Sequence, residues 1–188
     1  MKLSIKDMVL CAVFAALISI GAFVSIPLPG GVPFSLQPFF AMLAGAILGS
    51  KRGAISMTVY TLMGLVGLPV FSNGTGGFGM IFKPTFGYII GFIVCAYVVG
   101  LIVEKSREKG FNAGLVIAPF VGLMLDYIIG VPYLFVVLKA TMGEAMTPSV
   151  ALAYGFWPFI ILDLVKAAIV VTMLFSIIPR LEKEGILA

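Results

Sequence analysis

Residues 64–92, GLVGLPVFSNGTGGFGMIFKPTFGYIIGF, join two apolar segments through a loop built almost entirely of Gly, Ser, Thr, Asn and Pro. Two features set this loop apart from a plain solvated connector. Pro69 and Pro84 bracket it, fixing φ and discouraging helix on the residue before each. Gly74, Gly76, Gly77 and Gly79 within it permit positive φ and let backbone approach a ligand closely. Exposed N–H groups in such a run can satisfy a polar solute where side chains do not fit.

Working outward, apolar runs near the length needed to cross a bilayer recur along the 188 residues. The chain is 61% hydrophobic and only 11% charged, which excludes an ordinary soluble domain and implies an all-α integral membrane protein. A β-barrel would alternate apolar and polar residues over stretches of roughly 10, and no such alternation is present. The spacing predicts six segments: Met8–Ile26, Phe34–Leu48, Gly53–Gly67, Thr85–Val103, Phe111–Leu138 and Ser149–Ile178. The second and third are short or interrupted, as is tolerated where backbone lines a cavity or packs within protein. Pro27–Pro33 reads as a rigid turn, Glu104–Gly110 as a charged hairpin and Lys139–Pro148 as a polar loop. The first segment is too long for a signal-peptide core and is read as retained. No second domain is apparent, so residues 1–188 read as one six-helix membrane domain in a compact bundle.

Charge orients the bundle. Six spans place both termini on one side, together with nine basic residues: Lys2, Lys6, Lys51, Arg52, Lys105, Arg107, Lys109, Arg180 and Lys183. The other face carries only Lys83 and Lys139. Positive charge accumulates on the cytoplasmic side, so both termini are expected in the cytoplasm of a cell (cytoplasmic) membrane, and the Gly-rich loop outside. The net charge of +4 reflects these loops and calls for no nucleic-acid partner.

Lys166 is the remaining basic residue and the one within a span; Asp163 stands three positions before it in PFIILDLVKAAIV. At i,i+3 the two side chains share a helix face and can touch. Ionisable residues in membrane spans are costly and face a protein interior or a wet cavity. Trp157 and Pro158 resemble an interfacial anchor, which sets Asp163 about 9 Å and Lys166 about 13 Å deeper along the helix. One reading of the pair is structural, two charges neutralising each other. The other is a polar floor for a ligand, with Asp163 accepting from ligand N–H groups and Lys166 meeting a carbonyl or carboxylate.

Asp126 is a third buried charge, with no role assigned from sequence. Asn73, Thr85 and Tyr88 flank the loop with groups suited to orienting a small ligand, and Gly77 supplies loop backbone. Phe34, Phe71, Phe78, Tyr133 and Trp157 are candidates for an apolar wall. In the first segment Ala12 with Ala16, and Ala15 with Ser19, form small-xxx-small pairs that let another helix approach closely. Histidine is absent, no nucleophile stands beside a base, and Gly45–Lys51 fails the spacing of a phosphate loop. Nothing here suits an enzyme, a metal site or a bound cofactor. ATP-driven movement of a solute would need ATPases on other chains.

The blocks GLVGLPVF (Gly64–Phe71), GGFG (Gly76–Gly79), PTFGYIIGF (Pro84–Phe92) and DLVKA (Asp163–Ala167) resemble the BioY family. These are the biotin-specific S components of energy-coupling factor (ECF) transporters. Lys83 and Phe86 depart from the small Gly-Pro-Thr-Gly-Gly-Tyr pattern expected there. The resemblance implies a protein that binds biotin from outside, beneath the loop between segments three and four. It further implies a transmembrane coupling subunit and two ATPase subunits as partners, with Ala12 and Ala16 facing the coupling subunit, and reorientation of the whole S component in membrane lipid. Within it, the substrate-binding set would comprise Asp163, Lys166, Tyr88, Asn73, Thr85, Gly77, Phe71 and Tyr133. Asp163 would take the ureido N–H groups, with Asn73 or Lys166 donating to the ureido carbonyl. The alternatives are an S component for another vitamin, or a stand-alone proton-coupled secondary carrier using Asp163 or Asp126.

Overall fold

The computed structural model describes residues 3–28, 31–108 and 113–183. Lys2, Lys109 and Gly110, the start of segment five at Phe111, Pro29–Gly30 of the proline-rich turn and the tail after Lys183 lie outside the described residues.

Among the described residues the chain forms seven α-helices. They are α1 (Ile5–Phe23), α2 (Gln37–Leu48), α3 (Ser50–Leu65), α4 (Phe86–Glu108), α5 (Ala113–Met142), α6 (Pro148–Gly155) and α7 (Trp157–Lys183). Four helices are long and apolar enough to cross a membrane: Ile5–Phe23, Phe86–Glu108, Ala113–Ala145 and Trp157–Leu181. The apolar α2 has 12 residues and α3 has 16.

The central element is α4, packed along α2, α3 and α5. Small residues on its contact faces make that possible. A side chain at Gly45 of α2 would run into the backbone of Ala96, and one at Gly87 would run into Tyr133 of α5. Without such neighbours the helices would stand apart by the width of a side chain. At the end of the bundle away from the Gly-rich loop, Gly49 turns the chain between α2 and α3 at φ 85°. There Glu104 of α4 accepts from the backbone N–H and the hydroxyl of Ser50, both at 2.8 Å. A carboxylate is thereby set against the first turn of α3, where the helix dipole favours it. At the same end Ser4 and Asp7 form a capping box on α1, and Asp7 is paired with Arg52 at 2.8 Å, which ties α1 to α3.

Three sequence expectations change. On either side of the Pro27–Pro33 stretch the chain pairs as a short antiparallel hairpin, β1 (Ser25–Ile26) with β2 (Phe34–Ser35), in which Ser25 faces Ser35 and Ile26 faces Phe34. The loop over Lys139–Pro148 is shorter than expected, because α5 continues to Met142. The sixth segment is two helices rather than one, broken at Phe156. Pro158 accounts for the break: it has no N–H for the carbonyl of Tyr154, and its ring would collide with that carbonyl in a continuous helix. The chain restarts with the N–H groups of Phe159 and Ile160 both donating to the carbonyl of Phe156, at 3.1 Å.

The Gly-rich loop is built rather than slack. Phe71 and Thr75 pair across a tight turn in which Asn73 and Gly74 adopt φ 60° and 65°. The Phe71 ring is buried edge-on to Tyr60, with centroids 5.4 Å apart, and lies over Gly64, where any side chain would collide with it. Gly77, at φ 102°, donates its N–H to the carbonyl of Gly64 at 2.7 Å. Farther on, the Tyr133 hydroxyl of α5 donates to the carbonyl of Ile81.

Candidate ligand-binding site

The loop, the hairpin and the adjoining helices line a partly open cavity of about 200 Å³. Drug-sized sites run to roughly 300–1,000 Å³, so this one admits a single compact metabolite. Pro33 and Phe34 of the hairpin and Phe71–Asn73 of the loop form one side. Tyr88 and Phe92 of α4, Asp126 and Tyr127 of α5, and Phe159, Asp163 and Lys166 of α7 form the rest.

The three α7 residues fall at i, i+4 and i+7, one stripe of the helix. On the other side of α7, Ile161, Leu162, Leu164 and Val165 are exposed. This reverses the pattern of a soluble protein: the apolar face points away from the bundle and the charges point into it, where alone they can be neutralised.

Asp163 and Lys166 meet at 2.6 Å, both buried. Lys166 Nζ also donates to the carbonyl of Ser35 at 2.5 Å and sits 3.8 Å from the centroid of the Phe34 ring. The ammonium therefore joins the floor of the cavity to the hairpin that roofs it. The second oxygen of Asp163 accepts from the Tyr127 hydroxyl. Tyr127 is in turn stacked edge-on against Phe156 and Tyr88, with centroids 4.9 and 6.4 Å away. Tyr88 donates to the carbonyl of Gly155 at 2.8 Å. That carbonyl lies at the end of α6, so the break at Phe156 provides the acceptor that seats Tyr88.

A second polar knot centres on Gln37. Its Nε2 donates to Tyr60 at 2.6 Å, and its Oε1 accepts from Ser35 at 3.0 Å and from Ser72 at 2.7 Å. One buried amide thus fastens α2, α3, the hairpin and the Gly-rich loop together.

Of the residues singled out from sequence, Asp163, Lys166, Tyr88, Asn73, Thr85 and Phe71 come together on the cavity wall, with Phe34 and Asp126. Gly77 and Tyr133 are not among its lining residues: both act on the loop, through the carbonyls of Gly64 and Ile81. Phe78 and Trp157, 68% and 63% exposed, lie on the surface rather than in the wall. Ala12 and Ala16 are exposed on α1, while Ala15 and Ser19 face the core. Sequence reading missed Gln37 and Tyr127. Both stand in apolar runs beside other candidates, and only their hydrogen bonds distinguish them.

The BioY family model matches residues 1–183. The probable biotin transporter BioY of Lysinibacillus sphaericus is 37% identical over 97% of each chain. The biotin transporter BioY of Thermotoga maritima is 38% identical over 95% of this chain and 99% of its own. In three dimensions the chain is similar to the crystal structure of the S component for biotin from an ECF-type ABC transporter. That match has a TM-score of 0.77 and 27% identity, over 95% of this chain and 92% of the other. On the family match and on full-length relatives of this similarity, the chain belongs to the BioY family.

Proposed function

We propose that this chain is the biotin-binding S component of an ECF-type transporter, taking biotin from outside the cell into the cavity beneath the Gly-rich loop. One observation carries the reading: a buried acid–base pair floors a cavity sized for one compact metabolite, and a built loop and hairpin cover it. The chemistry suits biotin. Its ureido group offers two N–H donors and a strong acceptor, its thiophane ring suits Phe34, Phe71, Phe92 and Phe159, and its carboxylate needs a cation or backbone donors. Lys83, Thr85, Asn73 and Asp163–Lys166 are the polar groups this reading gives to the ligand.

In the same reading residues 1–188 form one domain that crosses the cytoplasmic membrane six times, with α6 and α7 sharing the last crossing and both termini cytoplasmic. The clustering of basic residues at one end supports this. Its work is binding and passage, not catalysis. The energy comes from two ATPase subunits through a transmembrane coupling subunit, which meets the exposed Ala12–Ala16 face of α1.

Calorimetric titration of biotin into the purified chain in detergent, with thiamine as control, tests the reading. One-to-one binding of biotin and none of thiamine is expected. A folded, empty protein that ignores biotin would overturn it.

A further inference from the structure

Around the cavity the hydrogen bonds can be followed group by group, and one carboxylate is left over. Both oxygens of Asp163 already accept a hydrogen bond, from Lys166 and from Tyr127. Gln37 Oε1 accepts two. The hydroxyls of Tyr88 and Tyr127 are each committed to an acceptor. Asp126 lines the same cavity and is 3% exposed; no hydrogen bond among the described residues reaches either of its oxygens, and Oδ1 is fully enclosed. Lys166 is turned to Asp163 and Ser35, and no ion pair among the described residues reaches Asp126.

Such a group is expensive to keep. A buried polar atom without a partner costs about 1–3 kcal/mol, and more when charged. The fold nevertheless makes room for it: Asp126 Oδ1 rests on Gly91 of α4, and any side chain at that position would occupy the place of the oxygen. Oδ1 is thereby turned to α4, and Oδ2 is the oxygen that Asp126 has to offer where it borders the cavity.

We propose that Asp126 is a specificity-determining residue that accepts a hydrogen bond from a ureido N–H of the ligand, while Asp163 chiefly positions Lys166 and Tyr127. The assignment rests on the biotin reading above and moves the main N–H acceptor from α7 to α5. A urea-type head group brings two N–H donors, and Asp126 is the acidic side chain in the wall that accepts no hydrogen bond among the described residues, whereas Asp163 accepts two. A ligand with only acceptors at that end would leave Asp126 buried and unpaired, and would be rejected for that reason.

The test is a titration of three probes: biotin, and biotin methylated at one or the other ureido nitrogen. Each is titrated into the native chain, Asp126→Ala and Asp126→Asn, with thermal unfolding in detergent as the check on folding. Asp126→Ala is expected to weaken biotin about ten- to hundredfold. Asp126→Asn, which keeps an acceptor oxygen and nearly the same shape, should recover part of the loss. Methylation of one ureido nitrogen should weaken binding strongly in the native chain and at least about fivefold less in Asp126→Ala, where the acceptor is gone and space has opened. Should biotin bind Asp126→Ala within twofold of the native chain, should Asp126→Asn bind no better than Asp126→Ala, or should both methylation penalties be unchanged in Asp126→Ala, the assignment is overturned with the biotin reading intact. Failure of the native chain to bind biotin overturns both.

Discussion

Replacing Lys166 by Met tests whether the charges beneath the cavity behave as a buried pair. The native ammonium makes a 2.6 Å bond to Asp163 and a 2.5 Å bond to the Ser35 carbonyl. Met preserves most of the length and volume but strands the Asp163 carboxylate, with Tyr127 its remaining donor. Breaking one partner from a buried ion pair costs about 3–5 kcal/mol. Adding Asp163→Asn removes the stranded charge and still lets Tyr127 donate to an amide oxygen. The double variant then loses chiefly the donor to Ser35, about 1–3 kcal/mol. Lys166→Met should therefore be less stable than the double variant by about 2 kcal/mol, although it carries fewer substitutions. Unfolding by titration with SDS in mixed micelles measures this, with the single tryptophan, Trp157 at the start of α7, as reporter. Equal midpoints for the two variants would refute the reasoning, since they would mean that Asp163 does not need Lys166 for neutralisation.

Asp163→Ala and Lys166→Ala should each weaken biotin at least about tenfold, because each leaves its partner unpaired; calorimetry that finds affinity unchanged in both would restrict the pair to a structural role. Tyr133→Phe should release the loop at Ile81, accelerating hydrogen exchange over residues 78–85 and biotin dissociation in stopped flow, and unchanged exchange would remove Tyr133 from loop anchoring. Ala12→Trp with Ala16→Trp should leave biotin affinity within about twofold, since both face away from the core, while uptake with the coupling subunit falls; full uptake would take α1 out of the coupling surface. Gly45→Val should cost about 1–3 kcal/mol or more through collision with Ala96, whereas Gly79→Ala, with nothing within 4 Å of the added carbon, should be neutral in the same SDS titration.

Much of the fold was legible because membrane helices announce themselves by run length, and the Asp163–Lys166 contact because i,i+3 spacing leaves little choice. The break at Phe156 was legible only in part: Pro158 disfavours a continuous helix there, yet Pro119, Pro132 and Pro179 lie within unbroken helices, and apolar run length conceals the difference. The hairpin was not legible, since pairing over Ser25–Ile26 and Phe34–Ser35 is too short for any period to register. Gln37 and Tyr127 were hidden for a different reason. In a membrane bundle both faces of a helix are apolar, so the pattern that separates inside from outside in soluble proteins says little about which polar residue faces the cavity. Tyr133 erred the other way: near the cavity in sequence logic, it reaches across to loop backbone instead.

The bond from Lys166 to the Ser35 carbonyl makes the roof of the cavity part of the cation's own neutralisation. Two of the ammonium's three N–H groups are divided between Asp163 and the backbone of the roof. An incoming oxygen can take the third N–H, and any pull it exerts on the ammonium is passed to the Ser35 carbonyl and so to β2. The floor of the cavity and its roof are thus joined through a single nitrogen atom.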